Sequence, residues 1–580
     1  MGRIMPDEHL VPTRPLDGGG GGTGGGGGSG RPGSEWGRLG SRSRFALLER
    51  GLPDGIVVGA LLVLAALLRF AFLDGRGTWD ADQGHDMLVL QALVSDGSVP
   101  LLGPPTSIGD FHHGAMYYYL LAPFALLSGA DPVVVVGALA AAGTIAVGVV
   151  WWLMRQVAGP LAAAIAGLLV AVSPSAIEAS TFLWNPNAIG LTAALALGAA
   201  WRAGVAGHAS WWLLAGFALG LTMQLHVLGV GLAVPIVALF VWAWRGVGPG
   251  ASERRDFARA GLGAIALIAV QYVPLAINEA TSGFAETRAA LEYLAGPGTT
   301  DQLDPVSRVL FIALRIVSWP VVGLITEAAI PGIIVAFVTL AIVVWRWRAE
   351  DPDERLAVRS FGLAIAWSAV FLSVAGGGLT TVVPGLPNDH YHAFVDPMVI
   401  GIIAIGLARL ASGRISAAGA GHDATGRAVA AIAVLLIVLA GIGQWPPITA
   451  SDGGWPAARS AGERIAASTG DRSILLVGLP LFKSTGAYAF PLVHGGRSVV
   501  PVTGPDAIDE ATVRALEGSA ALVIACDRLF ENVLLARCSD TAEDEVIRRR
   551  VGFSYVLADR FEASSRTVIS VYLPAGVAPR

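Results

Sequence analysis

Runs of strongly apolar residues recur from residue 55 to residue 445, separated by short polar stretches. About twenty consecutive apolar residues let a helix cross the hydrocarbon core, so the pattern predicts a transmembrane bundle. Eleven runs qualify as spans: 55–73, 133–154, 158–172, 186–202, 210–225, 227–245, 257–277, 330–347, 356–374, 393–411 and 427–445. Two more are ambiguous, because Ala115–Ser128 is short and Val306–Ile325 carries Arg308 and Arg315. The total is therefore 11–13 helices. Beyond residue 447 the period changes. Ser473–Gly478, Ser498–Val502, Ala520–Cys526 and Thr567–Leu573 are β-branched runs of strand length, with helix-like stretches at 455–468, 509–517 and 541–550. An α/β domain is expected over 447–580, without a Gly-rich phosphate loop.

Charge orients the bundle. If neither ambiguous run crosses, Arg155, Arg202, Arg245, Arg254, Arg255, Arg259, Arg346, Arg348, Arg355, Arg359, Arg409, Arg414 and Arg427 all fall in cytoplasmic loops. The outer loops 173–185, 224–226 and 375–392 then hold no Lys or Arg. This satisfies the positive-inside rule, whereas letting both runs cross reverses the bias for six arginines. Eleven full spans are expected, with 114–129 and 306–326 as juxtamembrane or re-entrant helices. The domain map is then a 1–50 tail, a 51–446 membrane domain with outer loops 74–132, 173–185, 278–329 and 375–392, and an extracytoplasmic 447–580 domain. In the tail the tract Gly18–Gly28, interrupted by Thr23, is followed by Arg31, Arg38, Arg42, Arg44 and Arg50. Such composition buries too little apolar surface to offset chain entropy, so disorder is expected on the cytoplasmic side. It is too long and Gly-rich for a cleaved signal peptide.

Composition sharpens this only in part. The chain of 580 residues is 54% hydrophobic and 14% charged, with mean hydropathy +0.61, which places it among multi-pass membrane proteins. A net charge of −5 spread over three compartments identifies no partner, and none of the patterns points to nucleic acid. Lys483 is the single lysine. Cys526 and Cys538 lack metal-site spacing, leaving a disulfide or two buried thiols.

Candidate chemistry lies in the outer loops, while the centres of the spans are almost free of ionisable groups. A charge at mid-bilayer costs about 2.5–3.5 kcal/mol on insertion scales, so this distribution argues against an ion-coupled pathway. Thr78-Trp79-Asp80-Ala81-Asp82-Gln83-Gly84-His85-Asp86 packs three carboxylates and an imidazole into nine residues. Its acids fit a helix N-cap or a catalytic base. Phe111-His112-His113-Gly114 precedes Tyr117–Tyr119. The histidines fit phosphate or substrate contact, a metal or plain loop polarity, and the tyrosines fit an interfacial belt or substrate stacking. The second outer loop offers Glu178 as an acid and Asn185, which before Pro186 reads best as a helix cap. His226 ends the fifth span, and His390 sits in Asn388-Asp389-His390-Tyr391-His392.

These loops together resemble a known family. WDADQGHDM stands where polyprenyl-phosphate-sugar-dependent glycosyltransferases carry Asp-Glu in their first outer loop. HHGAMYYYLLAP, SPSAIEASTFLWNPN and TMQLHVLG are similar to their further loop motifs. The family is the family 39 type, similar to protein O-mannosyltransferases and lipid A aminoarabinose transferases, with a GT-C membrane fold, and the resemblance covers roughly residues 50–450. It implies Asp82 as catalytic base with Asp80 its close rival. It further implies inverting transfer from a polyprenyl-phosphate sugar to an outer acceptor, whether protein, polysaccharide or glycolipid. Gln83 in place of an acid, and Asn185 or Asn187 in place of an Asp, argue against a metal, and no cofactor is assigned. The leaving lipid phosphate needs donors, for which Arg308 and Arg315 are candidates, with His112, His113, His390 and Lys483 behind them. Rival readings are a lipid-linked glycan flippase and a non-catalytic scaffold presenting the C-terminal domain.

Overall fold

A computed structural model describes residues 53–106, 110–248, 250–295, 303–324, 327–376, 379, 391–412, 420–480, 484–502, 520–535, 537–538, 543–544, 546 and 555–575. The Gly-rich tail, His390, Lys483 and the helix-like stretch 509–517 lie outside these residues, as does most of 541–550.

Helices stand over all eleven predicted spans. In chain order they are α1 (Asp54–Phe70), the non-spanning α2 (Ala81–Asp96), a hairpin of β1 (Leu102–Pro105) and β2 (His112–Gly114), α3 (Met116–Ser128), α4 (Pro132–Val157), α5 (Pro160–Val172), a short α6 (Pro174–Glu178), α7 (Ile189–Gly204), α8 (Trp211–Leu225), α9 (Ala233–Gly246), α10 (Ala251–Gln271), α11 (Val273–Ser282), α12 (Ala285–Ala295), α13 (Pro305–Val322), α14 (Ala329–Arg346), α15 (Pro352–Ala375), α16 (Asp396–Ala411) and α17 (Ala420–Gly443). Three long helices start at an Asp-Pro pair. Asp131, Asp304 and Asp351 each accept from two backbone N–H groups of the first turn, and proline at N1 has no N–H left to satisfy.

Among the described residues seven helices are long and apolar enough to cross a membrane, or eight if the pair α10–α11, bent by 47°, is one span. One of the seven is α13, where a re-entrant segment was expected. Its Arg315 is fully buried and donates to the carbonyl of Leu379, so the apolar face is not interrupted by an exposed charge. The helices α3, α5 and α8 are apolar but only 13, 13 and 15 residues long. The opposite end of the bundle is tied by buried Glu354, which accepts from Arg346 at 2.5 Å and forms an ion pair with Arg409.

The C-terminal part follows as α18 (Gly454–Thr469), β3 (Ile474–Leu479), α19 (Gly486–His494), β4 (Val499–Val502), β5 (Ala521–Asp527), β6 (Tyr555–Glu562) and β7 (Thr567–Pro574). The five strands lie in the order β4-β3-β5-β7-β6, with β4, β3 and β5 parallel and β7 and β6 antiparallel. Strands β3 and β5 are buried along their whole length, as parallel strands covered on both faces must be. The four predicted strands are present. The fifth, β6, was missed because its burial does not follow the core-strand pattern. Cys526 and Cys538 are joined as a disulfide.

The sheet is packed against the membrane part through α2. Gly84 of α2 meets Gly486 of α19 backbone to backbone, and a Cβ on Gly84 would lie 2.1 Å from the Gly486 carbonyl. Beside this crossing the Trp79 indole donates to the Ala487 carbonyl at 2.9 Å and packs on Trp455 and Phe490, with centroids 4.6 and 5.8 Å away. Asp452 accepts from the Thr78 hydroxyl at 2.6 Å and from the Trp79 amide at 3.2 Å.

Gly84→Val forces a branched side chain into that crossing and is expected to destabilise the protein by about 1–3 kcal/mol. Thermal unfolding in detergent should show the lowered midpoint. Gly190→Ala, whose added Cβ meets open space, should leave the midpoint unchanged or slightly raised.

Candidate functional site

The three carboxylates of the first loop have three different fates. Asp80 is the N-cap of α2: its side chain accepts from Ala81 N at 2.8 Å, and Gln83 Oε1 accepts from Asp80 N at 2.8 Å, completing a capping box. Gln83 thus has a structural reason to be an amide, since its other end donates to the Leu183 carbonyl of the second loop at 2.8 Å. An acid there would lose that bond. Asp86 is buried and accepts from the Tyr118 hydroxyl at 2.8 Å. Asp82 stands exposed in the first turn of α2, where a carboxylate is also favoured by the helix dipole. His85 is held above its ordinary pKa by Asp86, 3.6 Å away, with Asp82 adding to the effect.

Tyr117 and Tyr118 are fully buried with their rings 5.2 Å apart, and the Tyr119 hydroxyl donates to the Pro100 carbonyl at 2.7 Å. Tyr117 and Tyr118 therefore face the interior and not an interfacial belt. They face α2 and the first loop because the carboxylate of Asp86 gives a buried phenol its partner.

The adjacent histidines do not act as a pair. They lie on β2, where successive side chains point to opposite faces. His112 is held by Glu286 of α12, through its backbone N–H at 2.7 Å and its ring Nδ1 at 3.1 Å. His113 is buried and its ring lies 4.5 Å from that of His226. The row continues: His226 stacks on Tyr391 at 4.3 Å, and Tyr391 meets the edge of Trp184 at 5.5 Å. The backbone N–H of Leu228 donates to His226 Nδ1 at 3.2 Å, so the neutral ring carries its proton on Nε2. Burial, with the neighbouring His112, pushes the His113 pKa down to about 3. It offers hydrogen bonds, not charge.

Asn185 does not cap a helix. Its side chain is buried and donates to the Leu225 carbonyl, pinning the second loop to the end of α8. Glu178 lies near Arg76 and Glu327. Burial and Glu327 raise its pKa, and Arg76 opposes them. Arg308 is on the same face of α13 as Arg315, two turns nearer the helix start. His392, beside the undescribed His390, is buried edge-on to Trp319 of α13 at 5.3 Å, and the Trp319 carbonyl accepts from Ser175 at 3.3 Å. The first, second and fourth polar loops and α13 therefore meet at one end of the bundle. Gly77, at φ +81°, lets the first loop touch the Thr181 carbonyl of the second.

Three participants escaped the sequence reading. Arg76, just after α1, is buried, donates to the Leu68 and Ala71 carbonyls at 2.9 and 3.1 Å, and lies over the Trp445 ring. Glu286 and Asp452 are the others, each identified only by a partner more than 170 residues away. Among the described residues no group of three or more His, Cys, Asp or Glu is arranged to hold a metal ion.

Residues 112–273 match the model of a family described as dolichyl-phosphate-mannose-protein mannosyltransferase. No curated protein matches the chain in sequence. The fold is similar to that of ArnT from Cupriavidus metallidurans in the apo state, with 16% identity, 90% of this chain and 99% of that chain covered, and TM-score 0.57. It is also similar to the same enzyme bound to undecaprenyl phosphate, with 14% identity, 91% and 100% covered, and TM-score 0.54. The resemblance read from the loop motifs is borne out by the family match and by this GT-C glycosyltransferase fold.

A histidine that stays neutral in the fold but protonates when unfolded destabilises the protein as pH falls. Between pH 6.5 and 5, His113 should cost about 2 kcal/mol. Thermal unfolding of His113→Gln should lack that share of the acid dependence, so the stability of the variant relative to wild type should rise by about 2 kcal/mol from pH 7.5 to pH 5.

Proposed function

We propose that this multi-pass GT-C protein moves a sugar from a polyprenyl-phosphate-linked donor to an acceptor hydroxyl on the extracytoplasmic side, with inversion and with Asp82 as general base. The observation that carries the assignment is the division of labour on α2. Asp80 is committed to the cap and Asp86 to the buried tyrosine, whereas Asp82 is the carboxylate exposed at the end of the bundle where the polar loops converge. The undecaprenyl phosphate named for the similar ArnT structure supports a lipid-phosphate donor. Nucleotide sugars stay in the cytoplasm, so an outward-facing site needs a donor reached through the membrane.

In this reading Asp82 accepts the acceptor hydroxyl's proton as the oxygen attacks the anomeric carbon, and the polyprenyl phosphate leaves from the opposite face. Arg308 and Arg315, with Arg76 added by the structure, are the cations proposed to stabilise the departing phosphate. His113, His226 and Tyr391 offer stacked ring faces and neutral donors beside the sugar; Tyr117 and Glu178 support the acid cluster. The arginine distribution favours the cytoplasm at the opposite end, and the Cys526–Cys538 disulfide fits an oxidising compartment for the C-terminal domain.

Asp82→Asn should lower transfer from a lipid-linked sugar at least 100-fold, at the lower end of what a positioned base contributes, with the fold intact. Asp80→Ala should instead cost about 1 kcal/mol of stability through the lost cap, while Asp80→Asn keeps both cap and most activity. Full activity in Asp82→Asn, or a well-folded but dead Asp80→Asn, would move the base away from Asp82.

A further inference from the structure

The C-terminal sheet has a crevice that the transfer reaction does not account for. From β3 the chain passes through α19 to β4 on one side, and later returns as β5 on the other side of β3. In open parallel sheets such a reversal leaves a crevice outside the carboxyl ends of the two strands, where ligands bind. Here that crevice is a cavity of about 40 Å³, floored by Gly478 of β3 and by Ala525 and Asp527 of β5. Its roof is contributed by the membrane part, through Trp79 and Asp80 at the start of α2.

The lining is chemically specific. Among the described lining residues Asp80, Asp452 and Asp527 outnumber the cation Arg566, so these side chains disfavour anions. Hydroxyls of Ser484, Thr485, Tyr488, Ser564 and Thr567 ring the remainder, and the Trp79 indole supplies an aromatic wall. Thr485 is 2% exposed, and its hydroxyl has no hydrogen-bond partner among the described residues. Native proteins rarely leave a buried hydroxyl unsatisfied, and one lining a cavity points to a missing ligand group. No described cluster suits a metal cation. Carboxylates and hydroxyls that can both donate and accept, beside an indole, suit vicinal alcohols. The volume admits about three water-sized groups, hence one edge of a sugar ring and not the whole ring.

We propose that this cavity is a carbohydrate subsite that grips one edge of a neutral sugar against the start of α2. An acceptor role for this subsite rests on the transfer reading above; the binding of a neutral sugar does not. The subsite lies two residues from Asp82 along the chain, so a glycan held there is tethered to the element that carries the base.

Saturation-transfer NMR on the full chain in detergent, titrated with mannose, galactose and arabinose trisaccharides, tests this, with glucuronate and inorganic phosphate as anionic probes. At least one neutral saccharide should bind and the anions should not. Thr485→Val should weaken that binding roughly tenfold, the share of about one hydrogen bond to a polar ligand. The same variant should leave the thermal midpoint unchanged or higher, because it removes an unsatisfied buried hydroxyl. Asp82→Asn should bind the saccharide as wild type does. The subsite is overturned if no neutral saccharide binds, if the anions bind in their place, or if Thr485→Val binds normally. Retained saccharide binding in a chain whose Asp82→Asn variant still transfers sugar would uphold the subsite and remove the base assignment.

Discussion

The placement of α2 depends first on its close crossing with α19, where Gly84 meets Gly486. Helix α2 has few ways to be held: it lies outside the spans, carries three acids and a histidine, and is only 16 residues long. Two glycines let its backbone press onto the sheet-bearing part, and Trp79 fills the remaining wedge against Trp455 and Phe490. That contact fixes the direction of α2 from one side, while Gln83 and the Asp86–Tyr118 bond fix it from the other. A helix clamped on both flanks presents its first turn in one orientation, which is what a base placed there requires.

The same clamp explains how one short motif holds three carboxylates without mutual cancellation. Capping occupies Asp80, a buried phenol occupies Asp86, and Asp82 stands exposed in the first turn. The His113–His226–Tyr391–Trp184 row then forms a wall of ring faces from four separate segments, held by Asn185 and by strand pairing rather than by charge.

The bundle was legible because hydrophobic periodicity is local: every predicted span has its helix, and Asp-Pro starts mark two of them, at Asp131 and Asp351. The loop chemistry was legible because polar residues are scarce in such a chain. What failed were assignments that depend on distant partners. Asn185 reads as a cap from Asn-Pro alone, but the Leu225 carbonyl forty residues on claims its amide. Tyr117–Tyr119 look like an interfacial belt until Asp86 is seen to turn Tyr118 inward. The His112-His113 pair looks like one ligand set until the strand pleat sends the two rings to different neighbours. Helix α19 was invisible because it is short, apolar on most sides and interrupted by Pro491. Its Gly486 matters only through a contact 402 positions away with Gly84.

The central claim is bond-forming transfer at the end of the bundle where these loops meet. It is tested most directly by reconstituting the purified chain in liposomes with a radiolabelled polyprenyl-phosphate sugar and an envelope extract as acceptor, reading lipid translocation and product formation together. Label should appear in a new glycosidic product of inverted configuration, with release of one polyprenyl phosphate per transfer. Movement of intact lipid-linked sugar across the bilayer without a new bond would contradict it.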